Sequence, residues 1–463
     1  MSRNTPHEPR DMGVASDDSF QRGGRVPVTI DGLAAGGRGV GRVGGRVVFV
    51  SGAFPGDEGL VSIERVHRRF AEGRLVELRR PSPDRRTPEC AHQPECGGCP
   101  WMPINEAVQR EAKGRIVEES LRRIGGFREP PTVVCEASPR DLGYRNKVEF
   151  TLGSDAIGRR VLGLHRHEDA AAIVDVERCL LLDVAAQEVY RTCREHFLDG
   201  PGLGDPGRDG ADAPRVIVRS SAASGEVLVV LRGAPGDFPS APALARGLEG
   251  RVAGVVRVSS PPGRRGGAVV EVVAGRAFLE EELGGLRFRI PAAGFFQVNP
   301  GAADVLHGHV MRAAGNPTHA VDLYGGVGVF GLALARGGAR VVVIEADGEA
   351  VACGVETAER ERVGGVRFVK ADALAGLQAL SGRDREPELV LADPPRTGLG
   401  RGVAAAIAGL EPARVVLVGC DPAAFARDAG AMAALGYRLA SVRAIDLFPQ
   451  TDHVEAVGTL ERG

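Results

Sequence analysis

The stretch RVVLVGCDPAAFARD, residues 414 to 428, sets Cys420 directly after an apolar run and just ahead of an alanine-rich helical segment. Such a run reads as a buried strand, and the residue at its carboxyl end reaches the ligand edge of a doubly wound sheet. A thiol at that edge, followed by a helix N-terminus that favours its thiolate, is a candidate nucleophile. Asp393 holds a matching place in LADPPRTGLG, where two prolines fix the backbone just past it. The segment DLFPQTDHVEAVGTLE offers His453 and Glu455 just inside a terminal strand. Side chains two apart share a face, so one of these could serve Cys420 as a base. Cys135, Cys193 and Cys353 read instead as small buried hydrophobes.

A cofactor loop lies upstream. VDLYGGVGVFGLALA contains Gly326-x-Gly328-x-x-Gly331 between a strand and a helix, and Glu345 ends the next strand, where a carboxylate can accept ribose hydroxyls. That pattern fits both a nicotinamide dinucleotide and S-adenosylmethionine. Asp322 tips the balance to the latter: it would oppose a pyrophosphate, whereas it can meet the amino group of an amino-acid cofactor. Asp372, ending the third strand, is placed either to hydrogen-bond an adenine amino group or to cap the helix ALAGLQAL.

The segment CAHQPECGGCPWM brings Cys90, Cys96 and Cys99 together, with Cys179 of DVERCLLLD as the candidate fourth thiolate. Four thiolates take a metal ion or a cluster, and the spacing fits zinc and iron-sulfur equally.

The elements that must position these residues follow from length and rhythm. A chain of 463 residues exceeds one ordinary core, so several domains are expected. Residues 1–24 read as a disordered tail, and 25–82 as short alternating strands with glycine turns, hence a small closed β-barrel. Residues 83–290 read as an antiparallel α+β domain with a helix over about 104–124, and 291–463 as α/β, a Rossmann-like doubly wound sheet. The net charge of −2 carries little information on partners, because arginine makes up almost all of the basic residues and a GC-rich genome produces the same bias. No apolar run approaches the ~20 residues of a membrane span, and no signal peptide is legible, so no membrane partner and a cytoplasmic location are expected. Eight cysteines there read as reduced thiols, ligands or a nucleophile.

Taken together, GRGVGRVGGRVVFVSGAFPGDEG, CAHQPECGGC, GYRNKVEF, GFFQVNP, DLYGGVGVFGL, DPPRTGL, GCDPAAFARD and DHVEAV resemble the RNA 5-methyluridine methyltransferases over nearly the whole chain after residue 25. The resemblance implies an oligonucleotide-binding-type TRAM barrel, a central domain, and a methyltransferase domain. It implies that Gln297, Tyr324, Glu345, Asp372 and Asp393 contact S-adenosylmethionine, that Cys420 is the nucleophile and that Glu455 is the base. It also implies a [4Fe-4S] cluster on Cys90, Cys96, Cys99 and Cys179, as in the branch acting on 23S ribosomal RNA. The expected substrate is then a flipped-out uridine in a single-stranded RNA loop, met by a monomer. Two departures stand out: Gly325 where the family commonly has cysteine, and Val329 where some members carry a contacting asparagine. The alternatives are a transfer-RNA uridine-54 methyltransferase, a non-catalytic RNA-binding factor on the same scaffold, and a nicotinamide oxidoreductase with an iron-sulfur centre.

Overall fold

The computed structural model describes residues 20–155, 157–167, 169–199, 213–259 and 269–463. The greater part of the expected N-terminal tail, residues 1–19, lies outside them. Two compact units form, one reaching to Thr87 and taking in Trp101–Ala112, the other made of Pro88–Pro100 and Lys113–Gly463.

The first unit is the barrel. Strands β1 (Arg25–Leu33), β2 (Gly39–Val43), β3 (Arg46–Ser51), β4 (Glu58–Val66) and β5 (Phe70–Arg80) close in the order β1-β2-β3-β5-β4. Alternation decides what faces inward: Val26, Val28 and Ile30 of β1 meet Val48, Val50, Val61 and Ile63. Buried Asp57 closes one corner, taking 2.7 Å bonds from both Nε and Nη2 of Arg85.

Helix α1 (Glu106–Arg123) leads into the second unit, followed by the short strand β6 (Val134–Glu136). Strands β7 (Lys147–Ser154), β8 (Arg160–Arg166) and β9 (Asp169–Asp175), helix α2 (Val184–Asp199), strands β10 (Arg215–Ser220) and β11 (Val227–Gly233), helix α3 (Ala241–Gly247), and strands β12 (Gly254–Ser259) and β13 (Val269–Gly275) follow. Their sheet runs β13-β12-β11-β10-β7-β8-β9. Within this sheet the expected antiparallel pairing fails at one place. β11 and β12 are parallel, because α3 carries the chain back across the sheet between them.

After the hairpin β14 (Phe278–Leu283) and β15 (Leu286–Pro291), the chain alternates helix and strand. It runs α4 (Pro300–Ala314), β16 (His319–Leu323), α5 (Val329–Arg336), β17 (Arg340–Glu345), α6 (Gly348–Arg360), β18 (Val366–Lys370), α7 (Ala373–Ala379) and β19 (Leu389–Ala392). Then come α8 (Val403–Ala408), β20 (Arg414–Gly419), α9 (Pro422–Ala434), β21 (Tyr437–Ile445) and β22 (Glu455–Arg462). The sheet order is β18-β17-β16-β19-β20-β22-β21-β6, with β22 inserted antiparallel between β20 and β21. Helices cover both faces, so the central strands are apolar throughout; Val321 and Leu323 face one core layer while Ala320 faces the other. Among the described residues no helix is long and apolar enough to cross a membrane.

Candidate functional site

The strand order reverses between β16 and β19, and there the carboxyl ends of the strands open onto a cavity of about 700 Å³. Gln297, Tyr324, Glu345, Asp372, Asp393, Cys420 and Glu455 all line it, as does His453. Residues singled out from seven separate sequence segments therefore meet in one place.

One end is built by the glycine loop. Tyr324 takes the left-handed conformation, φ 58°, which aims its ring across the sheet edge so that its hydroxyl donates to the Leu399 carbonyl. The Gly326 amide donates to Oε2 of Glu345 at 2.9 Å, and the Asp347 amide to Oε1 at 2.7 Å. A carboxylate fixed in this way keeps further lone pairs for a diol. Gly331 has to be glycine: a Cβ there would stand 2.6 Å from Cγ2 of Val343 and 2.9 Å from Oδ2 of Asp322. Asp372 caps α7 by accepting from the Ala375 amide at 3.0 Å, as one of its two sequence readings has it, and it also lines the cavity. Ile344, Ala371 and Ala373 add apolar lining to the same cavity. A lining that combines these apolar groups with the carboxylates of Glu345 and Asp372 has the chemistry to take an adenosine.

Asp322 departs from its sequence reading. Rather than facing a ligand it is wholly buried beneath the glycine loop, where Oδ2 accepts from the Gly331 amide at 2.8 Å. Burial pushes its carboxyl up to about 8, against the Gly331 hydrogen bond, with Asp393 and Glu345 adding to the rise. Asp322 therefore shapes the loop from behind.

The other end carries the sulfur. Cys420 follows β20, and Asp421 caps α9 by accepting from the Ala424 amide at 2.7 Å. Sequence alone suggests a thiolate stabilised by that helix. In the structure the surroundings act the other way: burial, then Glu455 and Asp393, push the thiol up to about 11, against Arg396. Glu455 begins β22 and is buried; burial and then Asp393 raise its carboxyl well above the usual range, again against Arg396. Burial likewise raises Asp393 to about 7. His453 precedes β22 rather than lying in it, and burial lowers its imidazole below the ordinary value. Arg396 is the residue that sequence reasoning missed. Its position directly after Pro-Pro in DPPRTGL was the available signal, since it shares the rigid turn with Asp393.

The four thiols lie elsewhere in the second unit. Cys96, Cys99 and Cys179 are buried and Cys90 is half-buried, all four free. Gln93 holds their loop closed through bonds from Nε2 to the carbonyls of Cys99 (2.9 Å) and Cys96 (3.2 Å). Burial lifts Cys96 to about 11 against a hydrogen bond from Gly98, and Cys179 and Cys90 raise it further by their charge. Cys99 rises for the same reasons, burial first and then the charges of Cys179, Cys96 and Cys90. The thiols thus sense one another. Among the described residues no group of three or more histidine, cysteine, aspartate or glutamate side chains is placed to hold a metal ion. Cys193 is wholly buried and burial alone lifts it to about 12, as a packing residue requires.

Comparison with known proteins bears on this arrangement. Residues 19–76 match the TRAM domain and residues 276–463 the tRNA (uracil-5-)-methyltransferase family. An uncharacterized RNA methyltransferase of Gloeobacter violaceus is 35% identical over 95% of this chain and 97% of its own length. Another, from Nitratidesulfovibrio vulgaris, is 36% identical over 95% and 96%. Among solved structures, the Pyrococcus abyssi tRNA (uracil-54, C5)-methyltransferase in complex with S-adenosyl-L-homocysteine superposes with a TM-score of 0.70 at 25% identity, covering 94% of this chain and 99% of that one. With barrel, doubly wound sheet and cavity agreeing with these matches along nearly its whole length, the chain belongs to the S-adenosylmethionine-dependent RNA (uracil-5-)-methyltransferase family.

Proposed function

We propose that the protein methylates C5 of a uridine in 23S ribosomal RNA through a covalent bond between Cys420 and C6 of the base. The observation that carries this reading is the meeting of Cys420, Asp393, Arg396 and Glu455 on one cavity with Glu345 and Asp372. S-adenosylmethionine, when bound, supplies an electrophilic methyl group. Uracil C5 is a poor nucleophile, so the chain's own residues must make it a better one. Cys420 loses its proton, favoured by Arg396, and its sulfur bonds to C6, which turns C4–C5 into an enolate able to take the methyl group. Glu455 then removes the C5 proton, and the sulfur departs as C5=C6 reforms. The raised affinity of Glu455 for protons suits that step, because a carboxylate that binds protons tightly is a strong base once ionised. Gln297, Tyr324, Glu345, Asp372 and Asp393 are the proposed cofactor contacts. The barrel holds the RNA around the extruded base.

We assign a [4Fe-4S] cluster to Cys90, Cys96, Cys99 and Cys179. What supports it is a set of four free thiols, three of them buried, whose charges act on one another. Their role is structural, since methyl transfer moves no electron. The same thiols support the ribosomal substrate. Transfer-RNA uridine is the second reading, favoured by the likeness to the P. abyssi enzyme. The test is to incubate the holoenzyme with labelled-methyl S-adenosylmethionine and RNA from cells lacking the gene, then map 5-methyluridine. Label at a 23S uridine is expected; label confined to transfer RNA would replace the first reading with the second, and no 5-methyluridine at all would overturn both.

A further inference from the structure

Glu455 is delivered to the cavity by the segment 446–454, which also lines it with Phe448 and His453. This connection is not self-supporting. Asp446, Gln450 and Thr451 are buried in it, and Gln450 sits at φ 70°, an uncommon conformation for a side-chain-bearing residue. Most of what holds it comes from outside the methyltransferase sheet. Nζ of Lys113, on α1 and 333 residues away in sequence, meets Oδ1 of Asp446 at 2.5 Å and donates to the Phe448 carbonyl at 3.0 Å. Both side chains of that ion pair are buried, at 0% and 1% exposure. The Tyr144 hydroxyl, also buried, donates to the Pro449 carbonyl at 3.1 Å, and the Asn299 amide to the Leu447 carbonyl at 2.9 Å.

The surroundings make the Lys113 anchor stiff. The neighbouring Gly114 lets α1 press against the chain, since a Cβ there would stand 2.4 Å from the Val133 carbonyl oxygen. That backbone runs into β6, which pairs in parallel with β21, the strand feeding the segment. A buried ion pair adds little stability over an apolar pair of the same volume; its best-attested use is to fix one arrangement among several. Here the arrangement fixed is the approach of the base.

We infer that Lys113, through Asp446 and the Phe448 carbonyl, and Tyr144, through the Pro449 carbonyl, are positioning residues for Glu455. The inference rests on the covalent reading given above. Their step is the last one: the C5–H bond breaks, its proton passes to the Glu455 carboxylate, its electron pair forms C5=C6, and the C6–S bond breaks to return the Cys420 thiolate. If Glu455 is displaced, attachment and methyl transfer still occur, but release stalls.

The test uses three variants of the full protein: Tyr144→Phe, which deletes one hydroxyl, Lys113→Met, and Lys113→Met with Asp446→Leu, which removes the pair without leaving a buried charge unmatched. Each is mixed with S-adenosylmethionine and RNA from cells lacking the gene, and the detergent-stable protein–RNA adduct is followed in a single turnover. Expected is a fall of about tenfold or more in the rate at which the adduct breaks down to product, with cofactor affinity unchanged and adduct accumulating in proportion. A merely structural role would lower the melting temperature or raise KM without building up adduct. Should Lys113→Met fail to fold, the other two decide. Wild-type release by a folded Tyr144→Phe and a folded double variant, with no adduct build-up, overturns the inference. Failure of the wild type to form any adduct with 5-fluorouridine RNA would instead sink the covalent reading itself.

Discussion

Replacing Asp322 with asparagine separates two jobs that sequence alone assigns to one carboxylate. Asparagine keeps the shape and an acceptor for the Gly331 amide while removing the ionisable group. In the folded protein the Asp322 carboxyl stays protonated up to about pH 8, whereas its ordinary value is 3.8. Between those two values the unfolded chain holds fewer protons than the folded one, so stability falls as pH rises. One group contributes at most about 1.4 kcal/mol per pH unit, and the whole window comes to ~6 kcal/mol as an upper bound. The asparagine variant lacks that slope. Its buried amide costs ~1–3 kcal/mol at every pH if unpaired, so the signal is how the difference between variant and wild type changes with pH. Urea unfolding of both proteins, followed by circular dichroism at pH 5.5 and pH 8, should show the variant gaining a few kcal/mol relative to wild type at the higher pH. A difference independent of pH would refute the buried, neutral carboxyl. Calorimetry with S-adenosylmethionine supplies the second half. Asp322 lies outside the cavity, so affinity should change only a few-fold, and a loss of a hundredfold would mean that its charge meets the cofactor directly.

Other outcomes follow from the same geometry. Gly331→Ala drives a methyl group into Val343 and Asp322, which should cost ~1–3 kcal/mol and lower cofactor affinity at least tenfold in calorimetry; a silent substitution would contradict the close packing under the loop. Alkylation of Cys420 by iodoacetamide, read by peptide mass spectrometry, should be slow at pH 8 and climb until about pH 11, because burial and two carboxyl groups hold the thiol protonated; a plateau below pH 8 would contradict this. After anaerobic reconstitution with iron and sulfide, Cys99→Ser and Cys179→Ser should retain little iron while Cys193→Ser matches wild type, and equal loading in all three would remove the cluster assignment.

The strand ends were readable because a strand buried on both faces is an unbroken apolar run, and the residue that stops it is at the ligand edge. That is why Glu345, Asp393 and Cys420 could be placed before any coordinates. The paired strands of the barrel were readable from alternation and glycine turns for a similar reason. Periodicity says nothing, however, about depth. Asp322 and Asp393 both close apolar strands in sequence, yet one lies under the glycine loop and the other on the cavity. The electrostatics of Cys420 were misjudged on the same ground: the helix following it is local and visible, whereas Glu455 and the burial that outweighs it come from another strand. Least legible was the Lys113–Asp446 pair, since no local pattern links a helix near residue 113 to a connection near 446. The parallel step between β11 and β12 was hidden for a simpler reason: α3 has only seven residues, too few to give a clear helical rhythm.

The proposed bond between the Cys420 sulfur and the pyrimidine ring can be trapped. RNA containing 5-fluorouridine, incubated with the enzyme and S-adenosylmethionine, leaves no proton for Glu455 to remove after methylation. Mass spectrometry of the digested complex should find a methylated fluorouracil nucleotide attached to the peptide containing Cys420. An enzyme that methylates ordinary uridine RNA yet yields no such adduct, or yields one on a different residue, would contradict the account.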